Sequence, residues 1–340
     1  MTKSVLILHY RIDADQKNLE SNSGVLQQVE AVRKALDELG IANNIQDVSC
    51  LSELPQILKN TGCDIIFNLV EELQGSPSDY CYVPAICKAY GKSCSGNNTN
   101  ALLIAQNKWQ CKLLLKGANL PCPDGTIVEQ GEEFNQSNLK NGRYIVKPLF
   151  SDASEGITTD SVVDIPSKTA VNAVHIIHEE MNQPALIEQF ITQRELNVSV
   201  FESDNEFSVL PLAEIDFSAF DKEQVKIVDY AAKWISDSFA YNNTPRIIPA
   251  PLSESTAELV RRYAKNTCKV IGCNDYARVD FRLDENEKPY IIEINPNPDI
   301  SPDAGFPAAL NASGISYKTF IETVLKNAQR QNKYPTCQSE

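Results

Sequence analysis

The chain has 340 residues, with 31 basic and 45 acidic side chains and a formal net charge of −14. Nucleic acids and anionic membranes bind basic surfaces, so this charge balance excludes both as the main partner. The apolar content is ordinary and no apolar run reaches about 18 residues, which predicts a soluble globular protein without a transmembrane helix.

The first segment, residues 4–10, predicts a buried strand. His9 and Arg11 interrupt its apolar run and no small-residue cleavage site follows, so we do not expect a signal peptide. None of the ten cysteines forms a CxxC pair and there are only three histidines, which excludes a Cys/His zinc site. We expect the cysteines to be buried free thiols, as is typical of a reducing cytoplasm.

The N-terminal third alternates strands with helices. The predicted strands are residues 41–48 and 64–70, with a short segment to Gly96; the predicted helices run from Ser23-Gly24 to Gly40, over 51–59 and over 78–90. Such alternation predicts a parallel sheet covered by helices. No GxGxxG follows the first strand, so a dinucleotide-dependent dehydrogenase loses its main support.

The middle of the chain is predicted to hold a helix over residues 100–116, a loop over 119–125 and a strand over 143–148. A Ser- and Gly-containing loop, residues 149–160, has the composition of a flexible flap over phosphates. Later elements are a helix (171–181), strands (185–191, 195–201 and 208–217), a polar segment interpreted as a lid (221–243), and helices at 252–270 and 315–328.

The segment from Arg278 to Asn295 predicts a β-hairpin. Val279, Phe281 and Leu283 alternate with polar residues in the first strand, and Tyr290, Ile292 and Ile294 alternate with Ile291, Glu293 and Asn295 in the second. If Asp280 pairs opposite Glu293, then Arg278 lies opposite Asn295 and all four share one face. Two carboxylates and an amide oxygen suit Mg²⁺, which at so sparse a site arrives with nucleotide phosphates.

The hairpin residues, and the charged residues elsewhere in the chain that could bind a nucleotide, each have a plainer interpretation as well. The polar face of an antiparallel strand is commonly exposed to solvent without any binding function. Lys147 ends a strand before a flexible loop and can pair with phosphate, although a lone lysine is more commonly solvated at the surface. Glu188, inside an apolar strand, either receives an adenine amino group or is a core glutamate paired with a basic side chain. Glu195, Lys108 and Lys233 indicate no function when taken singly.

In chain order, several segments together resemble the ATP-grasp ligases, and within them the D-alanine–D-alanine ligase-like group. They are Asn107-Lys-Trp-Gln-Cys-Lys, Tyr144-IVKP, Ser151-DASEGI, Leu186-IEQFITQRE, Asp229-YAAKW, Ala277-RVDFRLD and Ile292-EINPNPDISP. The resemblance implies an α/β (α+β ATP-grasp) fold: a Rossmann-like parallel-sheet domain (1–98), two ATP-grasp subdomains that sandwich ATP (99–187 and 188–330) and a tail (331–340).

The resemblance also implies roles for individual residues. Lys108 and Lys147 contact ATP phosphates, with Ser154 and Gly156 in the flap. Glu188 meets the adenine amino group, and Glu195 holds the ribose. The other implied roles are these: Gln189, Phe190 and Ile191 line the adenine slot; Lys233 reaches the γ-phosphate; Asp280, Glu293 and Asn295 bind two Mg²⁺ ions, for which Mn²⁺ can substitute; and Arg278 stabilises the transferring phosphoryl group.

The substrate end departs from true D-alanine–D-alanine ligases. Asp299 stands where they carry a glycine, and Ala304 where they carry a serine for the acceptor carboxylate. Asn18, with Glu20 close by, aligns with their glutamate for the first D-alanine. Asn68-LVEELQGSPSD replaces their glycine-rich histidine loop. The ATP site is therefore expected to be intact and the substrate pockets rebuilt.

These features favour a cytoplasmic ATP-dependent C–N ligase, a family-typical homodimer, that joins a small-molecule donor to an amino acid. The specific candidate is ligation of serine or threonine to mycosporine-glycine. A D-alanine–D-alanine or other dipeptide ligase fits the same sequence, and a non-catalytic nucleotide-binding regulatory protein is the alternative of another class.

Overall fold

The computed structural model describes residues 4–12 and 19–331, and for residues 19–23 the backbone alone. The strands are β1 (Val5–Tyr10), β2 (Asn43–Val48), β3 (Ile65–Leu69), β4 (Ser93–Cys94), β5 (Gly125–Val128), β6 (Gly142–Pro148), β7 (Val162–Ile165), β8 (Ala185–Gln189), β9 (Glu195–Ser203), β10 (Glu206–Val209), β11 (Ala213–Ile215), β12 (Arg246–Ile247), β13 (Tyr276–Leu283) and β14 (Pro289–Asn295). The helices are α1 (Leu19–Glu38), α2 (Leu54–Asn60), α3 (Val83–Ala89), α4 (Thr99–Gln106), α5 (Lys108–Gly117), α6 (Lys168–Met181), α7 (Tyr230–Trp234), α8 (Phe239–Asn242), α9 (Glu254–Ile271), α10 (Gly305–Ala312) and α11 (Tyr317–Gln331).

The N-terminal sheet is parallel, in the order β2-β1-β3-β4, as the strand–helix alternation predicts. Every residue of β1 is buried, which is typical of a strand covered on both faces. One cover comes from the far end of the chain, because Phe320 and Val324 of α11 belong to the same apolar core. Helix α11 therefore covers the N-terminal sheet.

Two antiparallel sheets follow. The central one has the order β5-β8-β6-β7 and packs against α6. The other has the order β12-β11-β9-β13-β14, with β10 on β9, and is covered by α9. Ala101 of α4 and Leu115 of α5 share the core of this second sheet. The division of the chain after residues 98 and 187 remains a prediction.

Two predicted elements are each divided in the structure. The helix predicted over 100–116 is broken at Asn107, whose backbone is extended (φ −93°, ψ 95°) and whose side chain caps α5 by accepting from the Gln110 N–H at 3.0 Å. The strand predicted over 208–217 is β10 and β11, separated at Pro211, which has no N–H for a ladder. Helix α10 was not predicted.

Buried polar contacts connect the N-terminal domain to the hairpin β13–β14. Asn97, 2 % exposed, donates to the carbonyl oxygens of Tyr276 (2.7 Å) and Pro296 (2.6 Å), and its Oδ1 accepts from the Asn274 N–H (2.7 Å). Asp275 accepts from the Gly96 N–H at 2.8 Å. The base of the hairpin is therefore fixed to the end of the parallel sheet.

Two further expectations concern thiols and membranes. The nine cysteines of the described residues are free, and all but Cys50 are buried, as predicted. No helix in the described ranges is long and apolar enough to cross a membrane.

Candidate active site

The hairpin β13–β14 has the register that was supposed from the sequence. Arg278 lies opposite Asn295, and Asp280 lies opposite Glu293. Asp284 closes the turn by accepting from the N–H groups of Asn286 and Lys288, each at 2.9 Å. The acidic, amide and guanidinium groups are therefore brought to one face.

One detail of the hairpin prediction is wrong. A β-bulge follows the Asp280–Glu293 pair, so Phe281 pairs with Ile291 and Ile292 is the extra residue. The buried residues of β14 are Pro289, Ile291 and Ile294, whereas Ile292 does not share the apolar face with Ile294. The carbonyl oxygen of Ile292, the extra residue, accepts from Lys112 Nζ at 2.6 Å.

Asp280 is held by Arg278 and by a neighbouring strand. The Arg278 Nε and Nη2 atoms each lie 2.8 Å from a carboxylate oxygen of Asp280. Asn197 of β9 donates to the same carboxylate at 3.0 Å. Burial alone would lower the pKa of Arg278, but Asp280 and then Glu293 hold that pKa above its usual range. Arg278 is thus a fixed positive charge next to the carboxylates.

Charged groups from the flap and the lid surround Glu293. The ammonium group of Lys108, a residue that is 5 % exposed, donates a hydrogen bond to the Ser151 carbonyl oxygen at the start of the flap. Loss of water raises the pKa of Asp152 to about 6; Lys108 opposes this rise and Glu293 adds to it. Burial, and next the Arg278 guanidinium, lowers the pKa of Lys233. Lys233 also interacts electrostatically with Glu293, so the structure places the predicted lid lysine at the acidic face.

The flap and the lid contact each other directly. Ser154 Oγ donates to the Val228 carbonyl at 2.8 Å, and Trp234 Nε1 donates to the Ala153 carbonyl at 3.0 Å. Ala153 and Ser154 both have positive φ (54° and 63°), a conformation that costs energy for residues with a Cβ. The surrounding contacts therefore impose this flap geometry.

Glu188 is a buried carboxylate between two lysines. Its Oε1 pairs with Lys147 Nζ, and its Oε2 lies 3.0 Å from Lys112 Nζ. Burial alone would raise the pKa of Glu188, but Lys112 and Lys147 hold it below its usual value. Of the two interpretations of Glu188, this structure shows the core glutamate paired with basic side chains.

The segment after β8 borders a separate cavity of about 340 Å³. Gln189, Phe190 and Ile191 line it together with the turn of the hairpin. The Phe190 ring centroid lies 4.9 Å from the Arg282 guanidinium carbon, and Arg282 Nε donates to the Ile191 carbonyl at 2.5 Å. Arg282 also pairs with Glu195 at 2.6 Å, so the predicted ribose ligand already has a cationic partner.

Two of the predicted substrate residues are described by the structure, and Arg246 interacts electrostatically with one of them, Asp299, as well as with Arg278. Asp299 accepts from the Ser301 N–H at 2.8 Å and interacts electrostatically with Glu71. Ala304 is buried and precedes α10. Asn18 and Glu20 lie outside the residues whose side chains are described.

The chemistry of the donor set fits Mg²⁺. Within residues 4–12 and 19–331, no three His, Cys, Asp or Glu side chains are grouped to hold a metal ion by themselves. Asp280, Glu293 and Asn295 instead offer two carboxylates and an amide, and the Asn295 Oδ1 also accepts from the Asn297 N–H at 2.8 Å. Mg²⁺ typically takes few protein ligands and completes its shell with water and phosphate oxygens.

Four polar residues at the site were missed by sequence reasoning. They are Lys112, Asp152, Asn197 and Arg282. Lys112 follows Lys108 by one helical turn, and Arg282 continues the alternation of Arg278 and Asp280, so periodicity could have found these two. Asp152 and Asn197 are brought in by the flap and by β9, and no local pattern indicates them.

Comparisons with known proteins agree with this arrangement. Residues 114–326 match the model of the family described as D-ala D-ala ligase C-terminus. The D-alanine–D-alanine ligase of Haemophilus ducreyi is 27% identical over 298 residues, covering 87% of this chain and 90% of that protein. The uncharacterized protein y4sG of Sinorhizobium fredii is 29% identical over 267 residues, covering 78% of this chain and 75% of that protein.

The fold has a solved counterpart. The crystal structure of D-alanine–D-alanine ligase from Bacillus anthracis complexed with ATP superposes with a TM-score of 0.76 at 18% identity, covering 97% of this chain and 99% of that one. The similarity at this level of identity concerns the fold.

Proposed function

The chain belongs to the D-alanine–D-alanine ligase family of ATP-grasp proteins, and on this premise we propose that it is a ligase that activates a donor oxygen with ATP and joins the donor to an amino acid. The proposal rests chiefly on the shared face of Arg278, Asp280, Glu293 and Asn295, with Lys233 interacting electrostatically with its carboxylates. An anionic phosphate chain needs to be neutralised and aligned for transfer, and this face combines cations with ligands for Mg²⁺.

The reaction has two steps. The donor oxygen takes the γ-phosphoryl group and ADP leaves; an amine then attacks the activated carbon, phosphate leaves, and the amine loses a proton. Arg278 is proposed to stabilise the transferring phosphoryl group. Lys108, Lys147 and Lys233 neutralise the phosphates, and the flap with Ser154 excludes water.

The adenosine part of ATP is proposed to bind the segment from Glu188 to Glu195. This segment begins in β8, the strand that pairs with the strand of Lys147. Glu188 accepts from the adenine amino group, the backbone of Gln189 to Ile191 lines the base, and Glu195 accepts from the ribose. Asp280, Glu293 and Asn295 would hold Mg²⁺, which would supply positive charge that neutralises the phosphates. The Lys147–Glu188 and Arg282–Glu195 pairs need to open or rearrange for these contacts.

The donor is proposed to be mycosporine-glycine, with serine or threonine as the amine. The support is the set of departures at the substrate end, Asp299 and Ala304 together with the acidic segment that begins at Asn68. A D-alanine–D-alanine or other dipeptide ligase is the second candidate, favoured by the names of the relatives. A homodimer is also proposed, and light scattering tests it.

Release of ADP and phosphate tests the function. The protein is incubated with ATP, Mg²⁺, serine or threonine, and mycosporine-glycine, and the products are identified by mass spectrometry. We expect release only when donor and amine are both present, with a condensed product. A parallel incubation replaces serine, threonine and mycosporine-glycine with D-alanine. Formation of D-alanyl-D-alanine there, with no condensed product in the first incubation, would refute the mycosporine proposal, and no release with any donor–amine pair would favour a non-catalytic nucleotide-binding protein.

A further inference from the structure

Lys112 lies at the centre of a buried charge cluster whose other members have proposed roles toward ATP. Its side chain is 3 % exposed, and its Nζ lies 3.0 Å from Glu188 Oε2 and 2.6 Å from the Ile292 carbonyl oxygen. Lys147 pairs with the other oxygen of the same carboxylate and is 4 % exposed. Two lysines therefore share one carboxylate in a site that water does not reach.

The electrostatics of this cluster impose a condition on ATP binding. A buried carboxylate without a partner costs several kcal/mol, so Glu188 needs a cation at all times. Its partner Lys147 is the lysine proposed to neutralise phosphates, and it cannot serve both groups fully. Lys112 has no such conflict, because it has no proposed role toward the phosphates. Its ammonium group lies against Glu188 and donates to the Ile292 carbonyl.

We propose that Lys112 is a positioning residue that remains paired with Glu188 and thereby releases Lys147 to the phosphates of ATP. The inference rests on the proposed ATP-binding roles of Glu188 and Lys147. In this arrangement Lys112 does not touch ATP itself. It keeps Glu188 ionised and oriented while the second lysine leaves.

The same ammonium connects two parts of the site. Ile292 is the bulge residue directly before Glu293, and its carbonyl oxygen accepts from Lys112. Helix α5 also carries Lys108, one turn before Lys112. Lys112 therefore fixes the adenine-side carboxylate and the metal-side strand to one helix.

Calorimetric titration with ATP and Mg²⁺, without other substrates, tests the inference. We expect K112M to weaken ATP binding at least tenfold, since Lys147 becomes the only cation for Glu188 and stays on it. The double variant K112M/E188Q is expected to bind ATP more tightly than K112M, because a neutral amide no longer retains Lys147 and its carbonyl still accepts a hydrogen bond. K112R keeps the charge and is expected to bind within about threefold of the wild type, if its fork reaches both partners.

Lys116 supplies the matched control. It lies one turn further along α5 and pairs with exposed Asp124 at 2.9 Å, so K116M removes a lysine and an ion pair from the same helix. We expect ATP binding by K116M to equal that of the wild type.

The outcomes separate the inference from the proposed function. If the wild type binds ATP and K112M binds it equally well, or if K112M/E188Q binds no better than K112M, the inference is wrong while the proposed function stands. If the wild type itself binds no ATP, the proposed function fails first. A lower unfolding midpoint of K112M without rescue in the double variant would indicate a purely structural role.

Discussion

Asn97 connects the parallel sheet to both strands of the hairpin that carries the candidate site. The substitution N97A removes donors to the carbonyl oxygens of Tyr276 and Pro296 and an acceptor for the Asn274 N–H. A buried polar group that loses its partner costs about 1–3 kcal/mol. The summed cost for three such groups is an upper bound on the loss of stability. Water that enters the space left by the truncated side chain reduces this cost, because it can hydrogen-bond to the exposed groups. We therefore expect N97A to lower the free energy of unfolding by about 3–5 kcal/mol.

Urea denaturation measures this loss, and N97D separates hydrogen bonding from packing. Aspartate has nearly the volume of asparagine and keeps the acceptor for Asn274, but it places an oxygen against the two carbonyl groups. We expect N97D to be at least as destabilising as N97A. A loss below about 1 kcal/mol for N97A, or a nearly neutral N97D, would show that these hydrogen bonds do not hold the hairpin in place.

Three further outcomes are expected. D280N and E293Q each abolish turnover while the protein stays folded, because each removes a charge at the proposed Mg²⁺ site; D280N also removes the negative partner of Arg278 and is expected to lower the unfolding midpoint. Near-normal turnover in either variant would refute the metal assignment. Burial raises the pKa of Asp275 to about 7. The carboxyl group of the unfolded chain titrates near about 4, so between pH about 4 and about 7 the folded state binds a proton that the unfolded state has lost. The contribution of Asp275 to the free energy of unfolding therefore falls as the pH rises through this range. Denaturation measured across this range should show the fall, and D275N should flatten the pH dependence. W234F removes the hydrogen bond to the Ala153 carbonyl, worth about 1 kcal/mol, and loosens the lid from the flap. Because water then reaches the activated donor, we expect more phosphate to be released per molecule of product formed. An unchanged ratio of phosphate to product would contradict a sealing role for this contact.

Much of the site was predictable because it depends on local periodicity. Side chains of a strand alternate, so Arg278 and Asp280 were expected on one face of their strand and Glu293 and Asn295 on one face of the other; the pairing of Asp280 with Glu293, supposed from the sequence, is the one that the structure shows. The strand–helix alternation of the first domain likewise indicated its parallel sheet.

The sequence by itself thus determined the parallel N-terminal sheet, the hairpin and part of the charged set at the candidate site, namely Arg278, Asp280, Glu293 and Lys233. Only the tertiary structure decided that Ile292 forms a bulge, that Asp152 approaches Glu293, and that Glu188 is shared by Lys112 and Lys147. Lys112 and the Ile292 carbonyl are separated by 180 positions. Periodicity reports which face a residue occupies within its own element. The partners of a buried charge are chosen by the packing of different elements, because each buried group needs a partner wherever the fold can supply one.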